Sequence, residues 1–272
     1  MAMPATRSTF WDDKMDRELN AAIDAALQAG EFLCQHYGEA NALRYKSAIE
    51  VVTELDGQTE KIIARRLQSE FPHYGFLGEE GHRHESQTGI WVVDPIDGTT
   101  NYVRRIPVFA VSIGLVIDHE AMVGVIYQPM TRELFAACKG KGATLNGAPI
   151  HVSEVDQIGK ALLGSGFPYD AWTSSRDNLL QWGRAVKSAF AVYCSGVAAL
   201  GLCEVATGRI DGYWELYLHP WDIAAGACIV REAGGVVTQV TGERFDPLGH
   251  TILADNGRIH EALLKMVTEA EV

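Results

Sequence analysis

The chain has 272 residues, 47% of them hydrophobic and 21% charged, enough to bury a large core as one domain or two fused lobes, and this excludes a disordered protein. Its formal net charge of −12 at pH 7 argues against nucleic-acid binding, which needs a basic surface that releases counterions. The N-terminal MAMPATRSTFWDDKMD lacks the apolar core of an export signal, no run of about 18 apolar residues suggests a membrane span, and Cys34, Cys138, Cys194, Cys203 and Cys228 are scattered without a CxxC pair, so the expected setting is cytoplasmic with reduced thiols.

In chain order, Leu19, Ala22, Ile23, Ala26, Leu27 and Leu33 recur at helical spacing and predict a first helix that ends at Gly38. A second helix is predicted from Gly57 to Phe71, with Ile62, Ile63 and Leu67 as its apolar stripe and Pro72 as its stop. Asp56 stands at its entrance, a position that suits a helix N-cap and a general base equally. Tyr74, Phe76 and Leu77 lead into GEE at 78–80, which puts Glu79 at the end of an element. His82 and His84 then lie in a polar loop with neither an HExxH pattern nor a cysteine nearby, and they read as solvated surface rather than zinc ligands.

An apolar run, Ile90 to Val93, then enters the octapeptide DPIDGTTN at 94–101. A lone Asp-Gly step is ordinary turn chemistry. Here Asp94 and Asp97 flank a proline and can converge on one side of a turn, Gly98 lets the backbone approach a ligand, and Thr99 and Thr100 add hydroxyls at a possible helix start whose amides favour an anion. Carboxylates next to a phosphate repel it, so the motif implies a divalent cation and a phosphate together.

From Phe109 to Pro149 short β-rich runs, Val111 to Ile117, Met122 to Tyr127 and Leu134 to Cys138, predict a meander. The GKGATLNG segment at 140–147 lacks the Gly-Lys-Ser/Thr ending of a nucleotide-binding loop and reads as a hairpin. Beyond Ile158 the pattern alternates: a strand near Ala161 to Ser165, helices near Asn178 to Lys187 and Val197 to Ala206, and a strand around Ile210 to Trp214. A helix from Trp221, strands near Val236 and Ile252 and a closing helix from Arg258 complete it. Asp222 stands at the start of the WDIAAG helix, and Glu215 at a strand end is either a site carboxylate or a solvated charge.

GEE, then WVVDPIDGTTNYV, then PWDIAAGACIVREAGG, in that order, resemble the inositol monophosphatase family, and the resemblance extends through VTELDGQTE, GKGATLNG and VATGRIDGYWE to nearly the whole chain. It implies an α+β fold, a layered αβαβα sandwich with two sheets and the metal site between an N-terminal lobe (1–157) and a C-terminal lobe (158–272) that completes it. It also implies a homodimer, lithium sensitivity and Mg2+ dependence. Oxygen-only ligation suits Mg2+ or Mn2+ rather than zinc. Carried over onto this sequence, the family pattern surrounds a first metal with Glu79, Asp94, the Ile96 carbonyl and Thr99. Asp94 bridges to a second metal held by Asp97 and Asp222, and a third, weaker ion rests on Glu79 through water.

The implied reaction is direct attack by water on the phosphorus of a phosphate monoester. Thr99, with Asp56 behind it and Glu79 close by, orients and deprotonates the water, while the Gly98 and Thr99 amides hold phosphate oxygens. Asp97, the Ala198 backbone, Glu215 and Asp222 match positions that meet the polyol. The expected substrate is inositol 1-phosphate; fructose 1,6-bisphosphate, histidinol phosphate and phosphoadenosine phosphate are alternatives, as is a regulatory binding protein on the same fold. The chain departs from the pattern at Glu50, at Lys46, whose spacing to Asp56 is one residue short, and at Tyr193 and Cys194, where relatives carry an arginine.

Overall fold

The structure, a computed structural model, describes residues 15–39, 43–45, 51–168, 170–173, 175 and 177–269. Lys46, Glu50 and most of the N-terminal segment read above lie outside the described residues. The first helix, α1 (Asp16–His36), is followed by β1 (Leu43–Tyr45), β2 (Val51–Thr53), α2 (Glu54–Glu70), β3 (Gly75–Gly78), β4 (Arg83–His84), β5 (Ile90–Asp97) and α3 (Thr99–Val103). The meander is β6 (Ala110–Ile117), β7 (Glu120–Gln128) and β8 (Glu133–Cys138), extended by the hairpin β9 (Ala143–Leu145) and β10 (Ala148–Pro149). Then come β11 (Leu162–Ser165), α4 (Leu179–Ser188), β12 (Ala191–Tyr193), α5 (Ala198–Ala206), β13 (Gly212–Leu216), α6 (Pro220–Glu232), β14 (Val236–Thr238), β15 (Thr251–Asp255) and α7 (His260–Thr268).

The large sheet has the order β10-β9-β8-β7-β6-β5-β3-β4 and is antiparallel except for β3 beside β5; the smaller one, β12-β11-β13-β15-β14, is mixed. Helices α1 and α2 cover one face of the large sheet, α5 and α6 fill the space between the sheets, and α4 and α7 lie beyond the small sheet. This is the αβαβα sandwich expected. It also explains why β5 reads as a continuous apolar run: both of its faces are covered, by α2 and by α6, so alternation would leave polar groups buried.

The middle layer sits close to the large sheet because two glycines permit it. Gly114 on β6 and Gly124 on β7 are cross-strand partners that face α6, Gly114 at Ala224 and Ala225 and Gly124 at Ala225 and Cys228; a Cβ on Gly124 would collide with the Ala225 carbonyl. Ser112, the cross-strand partner of Asp94, donates its hydroxyl to the Trp221 carbonyl at 3.0 Å. Together these fix the start of α6, and with it Asp222, beside β5. The apolar cluster between the sheets draws Ala110, Ile126 and Phe135 from before residue 157 and Val197, Ile223 and Ile252 from after it, and we retain the division at 157 as a proposal of two lobes sharing one core.

Several elements begin elsewhere than the sequence suggests. Helix α2 starts at Glu54, so Asp56 lies inside its first turn rather than capping it. The polar stretch after GEE contains the edge strand β4, although His82 and His84 are indeed exposed. The glycines of the GKG segment point their amides at a carboxylate: Gly140 and Gly142 each donate to Glu232 at 2.8 Å. The element that Tyr74, Phe76 and Leu77 lead into is the four-residue strand β3, whereas β12, three residues long, carries no clear sequence signal.

Replacing Gly124 by Ala forces α6 away from β7. We expect Gly124→Ala to lower unfolding free energy by about 1–3 kcal/mol in urea titration, the usual cost of overpacking, and to lower turnover through the displaced Asp222.

Candidate active site

Asp94 and Asp97 are three apart, and in a regular strand they would point to opposite faces. The pairing of β5 with β6 shifts register between them, around Pro95, which has no N–H to give to the ladder. That irregularity brings both carboxylates to one side. Asp94 Oδ1 accepts the Ile96 N–H at 2.9 Å, closing a local turn that holds the irregularity open. Gly98 then adopts φ +94, and a Cβ there would meet Val197 and the Val108 carbonyl, so the tight exit toward α3 requires glycine.

Thr99, buried at the start of α3, lies with its hydroxyl 3.0 Å from Asp56 Oδ1 and 3.0 Å from the Ile96 carbonyl. It can give its single proton to either. Asp56, only 1% exposed, is thereby fixed as a partner of the β5 terminus across 43 residues of sequence.

The second half of the chain supplies the other wall. Asp97 Oδ2 accepts the Ala199 N–H at 2.7 Å and is also bonded by the Ala198 amide, so the free N–H groups at the start of α5 terminate on this carboxylate. The Ala198 amide, expected near substrate, bonds to Asp97, itself one of the expected substrate contacts. Asp222 Oδ2 accepts the His219 N–H at 2.7 Å, and the His219 side chain accepts the Asp222 N–H in return, a reciprocal cap on α6. The His219 ring stacks on Trp221 with centroids 4.7 Å apart. Glu215 is buried rather than solvated at its strand end, and the Tyr213 hydroxyl donates to it.

The carboxylates act on one another. Burial raises Asp94 well above the ordinary carboxylate range, and the charges of Glu79, Asp97 and Asp222 raise it further. Asp222 is raised by burial and by Asp97 and Glu79. Asp97 is pushed up to about 7 by burial and by Glu215 and Glu79, against the pull of the Ala199 and Ala198 amides. Glu215 is pushed up to about 8 by burial and by Asp222, against the Tyr213 hydroxyl. Asp94 is near enough to Glu79 and Asp222 for the carboxyls to share protons.

The predicted residues Asp56, Glu79, Asp94, Ile96, Asp97, Gly98, Thr99, Ala198, Glu215 and Asp222 are thus linked by hydrogen bonds, chain adjacency or charge into one network. Among the described residues no three His, Cys, Asp or Glu side chains are drawn in tightly enough to form a finished metal site. The donor set nevertheless fits a hard divalent cation, being all oxygen, buried at Asp94 and Asp97, half-buried at Glu79 and Asp222, and mutually repelling. Sequence reasoning missed Tyr213, Ala199 and His219; for His219 the signal was the H-x-x-D spacing of a reciprocal cap.

Residues 14–271 match the sequence pattern of the inositol monophosphatase family. The chain belongs to that family. The inositol monophosphatase 3 of Solanum lycopersicum is 38% identical over 268 residues, covering 94% of this chain and 98% of the relative. The Escherichia coli protein named Nus factor SuhB is 38% identical over 250 residues, covering 90% and 94%. Among solved structures, that of inositol monophosphatase from Anabaena superimposes with a TM-score of 0.86 at 37% identity, covering 94% of this chain and 97% of that one. As a member of the inositol monophosphatase family, this chain is a phosphoric monoester hydrolase.

Because the site carboxyls titrate higher in the fold than in the unfolded chain, the cation-free protein holds more protons when folded, and its stability falls as pH rises through those values. We expect the melting temperature of chelator-treated protein to drop by several degrees from about pH 5 to about pH 8.5. Mg2+ should restore it at the alkaline end. A cation-free melting temperature that rises over this range would contradict the assignment.

Proposed function

We propose that this enzyme hydrolyses phosphate monoesters of small polyols in a Mg2+-dependent reaction, with inositol 1-phosphate as its preferred substrate. The observation that carries the reading is the set of carboxylates from three segments, Glu79 after β3, Asp94 and Asp97 on β5 and Asp222 on α6, that raise one another's pKa beside the Thr99–Asp56 pair. Glu79, Asp94 and the Ile96 carbonyl would hold one Mg2+ with Thr99 beside it; Asp94, Asp97 and Asp222 would hold a second, and Mn2+ could replace either. A bound cation would supply a Lewis acid for the phosphate and lower the pKa of the attacking water.

The protein groups do the rest. The Thr99 hydroxyl, by donating to Asp56, is left with lone pairs directed outward that can accept a proton from water, and Asp56 can receive the proton passed on through the hydroxyl. The Gly98 and Thr99 amides, at the exit of β5, would bind phosphate oxygens. Glu215, pushed up to about 8 by burial and by Asp222, can donate to a polyol hydroxyl when protonated and accept from one when ionised. Asp97 and Asp222 would position the substrate hydroxyls nearest phosphorus.

Among the described residues no helix is long and apolar enough to cross a membrane. Our reading keeps the protein in the cytoplasm, where its five free cysteines stay reduced, and makes it a homodimer. A candidate dimer face is the edge strand β12 with exposed Phe190 directly before it and exposed Leu179 and Val186 on the adjoining α4, an apolar group of the kind that marks an interaction surface. The name Nus factor borne by the Escherichia coli relative favours keeping a second reading, a regulatory role exerted through a partner surface, which an active enzyme can also have.

Phosphate release from inositol 1-phosphate, fructose 1,6-bisphosphate, histidinol phosphate and phosphoadenosine phosphate, with Mg2+ and with chelator, tests the reading. Mg2+-dependent turnover should be fastest on inositol 1-phosphate; a different preferred substrate would replace that assignment. Asp94→Asn should lower kcat by at least about 1,000-fold, several kcal/mol of barrier, while leaving the fold intact by circular dichroism. Near-normal turnover in Asp94→Asn would sink the assignment. Millimolar Li+ at saturating Mg2+ should inhibit, and indifference to it would remove only that detail.

A further inference from the structure

Helix α2 carries a second buried carboxylate that the reaction above does not use. Glu60 lies one helical turn beyond Asp56, on the same face, and is 3% exposed. Like charges at this spacing disfavour a helix, and a buried carboxylate needs partners, so the position calls for a reason outside helix formation. Both of its oxygens are occupied by one turn: Oε2 accepts the Glu80 N–H at 2.8 Å, and Oε1 accepts the His82 N–H at 3.0 Å. That turn carries Glu79.

The rest of the turn is held from the other side. The Glu79 N–H donates to the Val93 carbonyl of β5 at 3.2 Å, and the Gly78 N–H donates to the His82 carbonyl at 3.0 Å. Gly78 is where the approach is closest, since a Cβ there would run into the Glu60 carboxylate. Glu79 therefore hangs between β5, which carries Asp94, and α2, which carries Asp56. Charge-assisted bonds to two backbone amides are among the stronger ways to fix a loop.

We propose that Glu60 is a positioning residue for Glu79: it sets the turn at 78–82 so that the Glu79 carboxylate is in place for a divalent cation, and it ties that turn to the helix that holds Asp56 against Thr99. The inference rests on the reading above that a cation binds at Glu79. One rigid helix then registers a cation ligand and the proton-accepting pair with respect to each other.

The test uses the full-length chain, with Mn2+ as the probe, measured directly by titration calorimetry or electron paramagnetic resonance. Glu60→Gln keeps the size but offers an amide N–H where one backbone N–H must be accepted; Glu60→Asp keeps the charge but cannot span both amides. We expect Glu60→Gln to bind Mn2+ about 10-fold more weakly and to need correspondingly more Mg2+ for half-maximal turnover. At saturating Mg2+ its kcat should recover and its KM should stay within about twofold of the parent, the pattern of a residue that acts through the metal. Hydrogen exchange at the Glu80 and His82 amides should quicken. Glu60→Asp should fall between the two, and decides the matter if Glu60→Gln does not fold. Equal Mn2+ affinity in the parent and the folded variants overturns the proposal, as does a loss of turnover that Mg2+ cannot restore. A parent protein that binds no Mn2+ overturns the cation reading instead.

Discussion

Burying several carboxylates within reach of one another is the constraint on which the rest of the molecule depends. Two unit charges 4 Å apart repel by about 4 kcal/mol at the effective dielectric of a protein site, comparable to a large share of a domain's net stability. The structure meets this locally, by giving each carboxylate donors from its own surroundings. Asp94 takes an amide from Ile96, Asp97 takes the first amides of α5, Asp222 takes the His219 amide, Glu215 takes the Tyr213 hydroxyl, and Asp56 takes the Thr99 hydroxyl. The donors to Asp97, Asp222 and Glu215 moderate their raised pKa values without removing them, which leaves a site that holds protons when alone.

The fold supplies those donors at the right places through packing that has little to do with charge. Cross-strand glycines let α6 lie on the backbone of β6 and β7; Gly226 lets α5 lie against α6 through Leu202, and the Ala198 and Ala199 amides at the start of α5 end on Asp97. On the opposite face, α2 bears on β5 and carries Asp56 and Glu60 inward. Two helical layers thus clamp the end of one strand. Small residues in the middle layer are the means by which a long-range site is held to short distances.

Much of this was legible in the sequence where the information is local. DPIDGTTN signals its own turn, since proline, glycine and two carboxylates within a few residues leave few conformations, and Asp222 is announced by the apolar helix pattern that follows it. The layered α+β architecture followed from the resemblance, and the individual helices from their periodicity. What was not legible depends on partners far along the chain. The register shift between Asp94 and Asp97 is set by β6, the destination of the Ala199 amide by a residue 102 positions earlier, and the surroundings of Glu215 by Gly166 and Tyr213. Asp56 was read as a possible cap because its spacing to the apolar stripe cannot distinguish a residue before a helix from one in its first turn. Strands β3 and β12 are too short for any periodicity and exist because a neighbouring strand offers an edge.

The bond between Asp97 and the Ala199 amide has a further consequence, in the order in which the molecule can be made. It joins positions 102 residues apart, and Asp222 follows later still. A chain emerging from the ribosome therefore presents β5 and its carboxylates well before α5 and α6 exist to cover them, and the ordering entropy of such distant contacts is met late. During that interval the acidic strand end is open to water, where its charges are cheaply solvated and cannot yet enclose an ion. Catalytic competence thus waits on α5 and α6: copies that end before them, however well folded at their N-terminal end, remain inert toward phosphate esters.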